Sequence, residues 1–470
     1  MALKTYSFPI FIGINQYGSE NTLSQSYTTD AVNIDTTNGR LAVAKGFTKF
    51  IPIAIPGTSA IDHLTSYKTT NAELAVVITD NKVYCFKNGQ WQLVYTYTGD
   101  RTSNRYDSQM VRINTTDYLV IANGVDQLIK FDGTEVTLFG SAEGCSNVAV
   151  SYLTMYRGRL FAAGDADNPD RLYYSVLPGG GRTIENWGYV EASPAVEGGH
   201  AEVGSVGGDP IVAIHSLSNQ LLIFKRSSLY RLIGDRPSNY SIERIDASFK
   251  PPVRSAIATY ADVMYFITKD GLYYYNGVTA RPSSDMYSIR KIMQTASVDS
   301  GRAVIANDRL FFTISVNGKK KLIIYDLVEK KYMLRDGFVM YDMAIIAGTM
   351  MIVSGDRYVC VFDRGNSYDG KPINAYWKTP LTDFGEKSSI KSLHELFLRA
   401  KGDRIVITTS VDGVKSVYAR ELTDRNDQVL EIPLKDEGRL IQLMFSNENG
   451  GSFEIVDGIE VLLGLRQRTY

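Results

Sequence analysis

The sequence predicts an all-β protein: a six- or seven-bladed β-propeller followed by a C-terminal antiparallel β-sandwich. Three observations predict it. Apolar and polar residues alternate with a period of two along most of the chain, and almost no long stripe of helical period competes with them. A short strand unit ending in Asp or Asn and Gly recurs through roughly the first three quarters of the sequence. The 470 residues include 30 Tyr and 40 Gly, which favour half-buried pleated surfaces and tight turns respectively.

Residues 1–55 carry few strand signals and read as an N-terminal segment that docks on the propeller. The propeller is assigned to residues 56–374. Its first unit runs strand 73–79, turn Asp80-Asn81, strand 82–86, turn Asn88-Gly89 and strand 90–95. Asn-Gly supplies the positive φ values that a type I′ hairpin requires. The unit recurs at Val83, Leu128, Leu172, Leu229, Leu272, Leu322 and Val359, at steps of 37 to 57 residues. An apolar strand precedes each copy. Recurrence of an all-β unit every 40 to 50 residues is the pattern of a propeller blade, which cannot bury both sheet faces alone and does so in a ring. The pattern changes near residue 375: dense alternation at 391–399, 404–409, 416–420, 439–445, 453–456 and 459–463 predicts a small β-sandwich over 375–470.

Composition excludes several function classes. Lys and Arg total 50 against 51 Asp and Glu, a net charge of −1, so the chain is neither a strongly basic nucleic-acid clamp nor an acidic tail. No apolar run approaches the length of a membrane span, and Pro9 and Gly13 interrupt the place where a signal peptide needs its apolar stretch. Export by the ordinary route is not expected. Cys85, Cys145 and Cys360 form no metal spacing or disulfide framework and read as small buried hydrophobes. His63, His200, His215 and His394 are scattered singly. The stretch Asp165-Ala-Asp167-Asn-Pro-Asp170 invites a calcium reading but fails the EF-hand pattern, with Pro169 at the fifth loop position and no Gly at the sixth. No sialidase-type box, GxSxG, HExxH, P-loop or post-strand GxGxxG occurs. No catalytic residue, metal or cofactor is assigned, and the chain is expected not to be an enzyme.

Two features stand out as candidate sites. Lys225-Arg226 and Lys319-Lys320-Lys321 follow strands of two different units. If such runs line one channel, they contact a polyanion. The segment from Leu177 to Pro210 is the longest irregular stretch and contains Gly179-Gly180-Gly181 and Gly198-Gly199. A loop this long in a compact ring is expected to be a gate, a subunit contact or a disordered insertion.

Three motifs carry a family resemblance. The first is Asp30-Ala-Val-Asn-Ile-Asp35, Gly39-Arg-Leu41 and Lys45-Gly-Phe47. The second is Gly164-Asp165, Asn168-Pro-Asp-Arg-Leu-Tyr-Tyr-Ser175 and Asn186-Trp187. The third is Trp377, Thr379-Pro380 and Asp383-Phe-Gly385, followed by Lys387 and Lys391. In this order they resemble the signatures of tailed-bacteriophage virion β-propeller proteins of the tail nozzle, or tail tubular protein B, type. The resemblance implies a structural virion protein of a short-tailed phage, assembled in the host cytoplasm as a homohexameric ring. Such a ring meets portal, adaptor and other tail proteins, passes duplex DNA without sequence preference, retains the packaged genome and takes part in its ejection. The alternative is a propeller binding module at a tail tip that recognises a host receptor or glycan. That alternative predicts an aromatic-lined pocket on one propeller face. A carbohydrate-active enzyme would instead need carboxylates converging in the propeller funnel.

Overall fold

The structure is a computed structural model that describes residues 2–98, 106–140, 149–187, 197–205, 207–246, 252, 255–299, 301–422 and 427–466. Among the described residues, seven consecutive antiparallel sheets form the blades. They span 63–96, 107–138, 152–202, 211–246, 257–282, 296–335 and 340–362, the last completed from outside its own stretch of chain. The choice between six and seven blades is therefore settled at seven. The recurring units fall on or immediately before the third strand of each blade, from Lys82–Lys87 in blade 1 to Val359–Phe362 in blade 7. Turns open as the sequence requires: Asn88 and Gly89 have φ of 53° and 76°, and Asn317 and Gly318 have 52° and 74°.

Alternation explains why the blades close into a ring. In the second strand of blade 1, Ala75 and Val77 pack toward blade 7 with Ile346, Met351 and Val353. Val76 and Ile78 point the other way and pack toward blade 2 with Leu119, Ile121 and Phe131. Each blade thus buries both faces of its sheet, and each seam between neighbours has its own apolar cluster. Cys85 and Cys360 sit inside such clusters, where burial pushes their thiols up to about 11. Cys145 lies outside the described residues.

The C-terminal region forms two sheets, as expected. Its spine is the long pair Ile390–Gly402 with Phe453–Arg466. The N-terminal segment touches blade 6, where Ile14 N donates to Tyr332 O and Asn33 N to Leu334 O, and it also supplies strands to the sandwich. Ala2–Phe8 and Leu41–Val43 pair with Phe453–Arg466, and Asp30–Val32 pairs with Tyr376–Lys378 in the second sheet. Phe47–Lys49 then crosses to blade 7 and pairs with Val359–Phe362 as its outer strand. The first 49 residues therefore braid the sandwich and close the ring. One continuous core joins blades 5 and 6, this segment and the sandwich interior, with Phe11 edge-on to Trp377 at 5.6 Å. These N-terminal strands are two to seven residues long, and all but Ile34–Asp35, which pairs with Leu41–Val43, take a partner more than 300 positions away, so local pattern carries little trace of them.

Candidate functional site

The first strand of each blade lies on the ring axis, and polar side chains link these strands across the seams. Asp107 of blade 2 accepts from Leu153 N of blade 3 at 2.9 Å, and His215 of blade 4 meets Thr259 of blade 5 at 3.1 Å. Arg302, at the entry to blade 6, grips Asp342 of blade 7 through Nε at 2.5 Å and Nη2 at 2.7 Å. Its Nη2 also meets His63 Nδ1 of blade 1 at 2.5 Å. A guanidinium only donates, so Nδ1 accepts and the imidazole proton sits on Nε2, which faces Ser108 Oγ of blade 2 at 2.9 Å. Ser108 therefore accepts from His63, and its own hydroxyl donates to Thr65 at 2.9 Å. This tautomer makes the pair a link between blades and not a base poised on a nucleophile. The four His do not converge: His63 and His215 lie on blades 1 and 4, His200 on the outer strand of blade 3 and His394 in the sandwich.

The basic runs lie at turns between the second and third strands of blades 4 and 6, and Lys225 stands in register with Ile211 of the first strand of blade 4. Lys225 is 2% exposed and donates to Val203 O at 2.5 Å. Burial pulls its ammonium below the usual lysine range against the pull of Asp170, Asp209 and Glu202. It is not available to a polyanion, because its charge is buried and spent on a carbonyl. Arg226 is exposed. Lys320 is half-buried and donates to Tyr341 O at 2.6 Å, with burial lowering its pKa. Lys321 pairs with Asp336 at 2.7 Å. Of the second run, Lys319 alone is exposed and forms no salt bridge or side-chain hydrogen bond among the described residues.

Lys319 and Lys320 stand on the rim of a cavity of about 730 Å3 at the seam of blades 6 and 7. Its wall is the crossover from blade 6 to blade 7, where Gly337, with φ of 90°, turns Phe338 and Val339 into the opening. The floor is aromatic. Phe47 stacks on Tyr368 with centroids 5.3 Å apart, and Phe338 lies 4.6 Å from Tyr368. Val339 is 62% exposed. Across the opening Asp356 pairs with Lys371 at 2.9 Å. Sequence reading found the lysines but not the cleft, because Phe47 and Tyr368 arrive from opposite ends of the chain.

The glycine-rich segment is divided. Gly179 and Arg182 bond reciprocally at 3.1 Å, and the three glycines between them and including Gly179 have positive φ and open space around them. Beyond this tip the chain is anchored on blade 2: Ile184 and Trp187 are buried with Val120 and Phe139, and Glu185 pairs with Lys130 at 2.6 Å. Gly198 packs tightly, since a Cβ there would lie 2.8 Å from Asn186 O, and Gly199 begins the outer strand of blade 3. Residues 188–196 lie outside the described residues. In the acidic stretch, Asp165 spends its oxygens on Asp167 N, Asn168 Nδ2 and Tyr173 OH, so it closes a turn.

The first and third motifs meet where propeller and sandwich join. Asn33 Nδ2 donates to Asp336 O at 2.9 Å and Asn374 O at 2.8 Å. Arg335 donates to Ile34 O at 2.6 Å, and Lys331 to Thr36 O at 2.6 Å. Burial raises the Asp35 carboxyl, but Arg335, the Thr37 hydroxyl and Arg309 outweigh it and hold the group down at about 2. Tyr376 donates to Asp30 at 2.7 Å, and Trp377 is 1% exposed.

No family model matches the chain, and no curated protein matches it. Solved structures align with it at low similarity. An extracellular domain of a hybrid two-component system from B. thetaiotaomicron aligns at TM-score 0.42 and 8% identity, over 89% of this chain and 64% of that one. PorZ, a surface component of the type-IX secretion system of Porphyromonas gingivalis, aligns at TM-score 0.37 and 11% identity, over 81% and 46%. The Pan2 WD40 domain of Neurospora crassa aligns at TM-score 0.38 and 8% identity, over 68% and 95%. The chain thus spans less than two thirds of the length of the first two.

Proposed function

We propose that this chain is a structural virion protein of a short-tailed phage, forming a homo-oligomeric tail nozzle ring that extends the DNA channel, retains the genome and takes part in its ejection. The observation that carries the reading is the braid. The first of the motifs that resemble nozzle signatures joins propeller to sandwich: Asn33 and Ile34 bind Asp336, Asn374 and Arg335, and Ala31 pairs with Trp377 of the third motif. A component of a pressurised conduit needs its bodies joined without a free hinge. A near-neutral chain suits passage, since DNA affinity climbs steeply with the number of phosphates neutralised.

The test is the mass of the purified chain in solution, with electron microscopy of the same sample and of tails. A ring of about six copies with a hole wide enough for duplex DNA is expected, since closed rings arise from head-to-tail contacts. A monomer that also fails to join particles overturns the reading. One observation favours a second reading, a tail-tip module for a host receptor or glycan: the aromatic-floored cleft on one propeller face, rimmed by Lys319 and Asp356. The two are separated by the same measurement, because a receptor module needs no ring.

A further inference from the structure

We infer that the cleft between blades 6 and 7 is a binding site for an acidic saccharide, a hydroxyl-rich ring carrying one carboxylate. The inference deepens the receptor-binding reading and does not depend on ring assembly.

The volume, about 730 Å3, lies within the range of small-ligand sites. A sugar ring presents an apolar C–H face and a rim of hydroxyls that both donate and accept. The cleft offers the complement of each. Phe338 and Val339 form an apolar wall held on the Phe47 and Tyr368 rings below. Asp336 and Asp356 supply acceptors at the rim, and Lys371 and Lys319 supply donors. The aromatic floor is rigid: the Tyr368 hydroxyl donates to Asn33 at 2.8 Å, so ligand binding orders little that is not already ordered.

Charge decides the class of ligand. Lys371 is shared with Asp356, Lys321 with Asp336, and Lys320 is spent on Tyr341 O. Among the described residues that line the cleft, the Lys319 ammonium alone is left for a ligand, and one carboxylate satisfies it. A nucleic acid would bring successive phosphates against Asp336 and Asp356, which repel them.

The probe is sodium D-glucuronate, with methyl β-D-glucopyranoside as the neutral comparison and a short DNA duplex as competitor. Binding to the full chain is read by titration calorimetry and saturation-transfer NMR. Glucuronate is expected to saturate and to resist displacement by the duplex. Lys319→Gln should weaken glucuronate about fivefold and leave the neutral glycoside within about twofold, as loss of one exposed charge-assisted hydrogen bond predicts. Val339→Trp, at a position 62% exposed, should fill the opening and abolish both signals. Absence of saturable glucuronate binding overturns the inference, as does binding that survives Val339→Trp or is displaced by the duplex. A ring that binds no glucuronate removes this inference and leaves the conduit standing. A monomer that binds it and fails to join particles does the reverse.

Discussion

The Tyr368 hydroxyl donates to Asn33 Oδ1 at 2.8 Å, tying a residue of the N-terminal braid to one on the outer side of blade 7. Asn33 uses its whole side-chain amide. Its Nδ2 donates to Asp336 O and Asn374 O, and its Oδ1 also accepts from Asp336 N at 2.9 Å. It is 2% exposed and holds φ of 57°, a conformation Asn tolerates better than most residues. One side chain therefore ties the blade 6–7 crossover, the linker to the sandwich and the ring-closing blade.

Asn33→Ala should cost about 3 kcal/mol, because it leaves buried donors and acceptors unpaired and keeps the left-handed backbone. Chemical denaturation measures it. A cost below about 1 kcal/mol would show that the junction is held elsewhere.

Gly46 precedes the strand that closes the propeller, and a Cβ there would lie 1.9 Å from Ser367 O. The obstacle is backbone, which yields little. Gly46→Ala should loosen Phe47–Lys49 from Val359–Phe362 and speed amide exchange in blade 7 before blades 2 to 4. Uniform exchange across all blades would refute this local opening.

The deletion most naturally suggested by the glycine-rich segment, residues 177–209, would remove Trp187 and the strand Gly199–Glu202 with it. It would damage blade 3 instead of testing a gate. The separable test uses two positions. Trp187→Ala should cost about 3 kcal/mol through a cavity between blades 2 and 3. Gly180→Asn, at an open position with φ of 58°, should stay within about 0.5 kcal/mol and leave any change in ring assembly to the tip itself.

His215, on an axis-lining strand, is held down to about 4 from 6.5 by burial. Its folded pKa lies below its unfolded one. Its neutral form is therefore compatible with the fold above pH 6.5, and stability is lost as pH falls from there toward 4. His215→Gln keeps a polar side chain without the charge. The fall in melting temperature between these two pH values should be smaller in the variant than in the parent. Parallel curves would show that His215 does not report this loss.

The blade repeat was legible from sequence because both faces of a blade bury apolar residues against neighbours. The constraint repeats locally, so Val83, Leu128, Leu172, Leu229, Leu272, Leu322 and Val359 mark seven third strands. The sandwich was legible for the same reason, with its long spine strands at 390–402 and 453–466. Tertiary structure decided the rest. Ring closure by Phe47–Lys49 depends on a partner more than 300 residues away, and a three-residue strand has no periodicity to read. The fate of each lysine was likewise non-local: Lys225 met a carbonyl in a buried seam, Lys321 met Asp336, and Lys319 met solvent. Charge is written in the sequence, but whether a charge is free depends on the dielectric and the partners that folding brings to it.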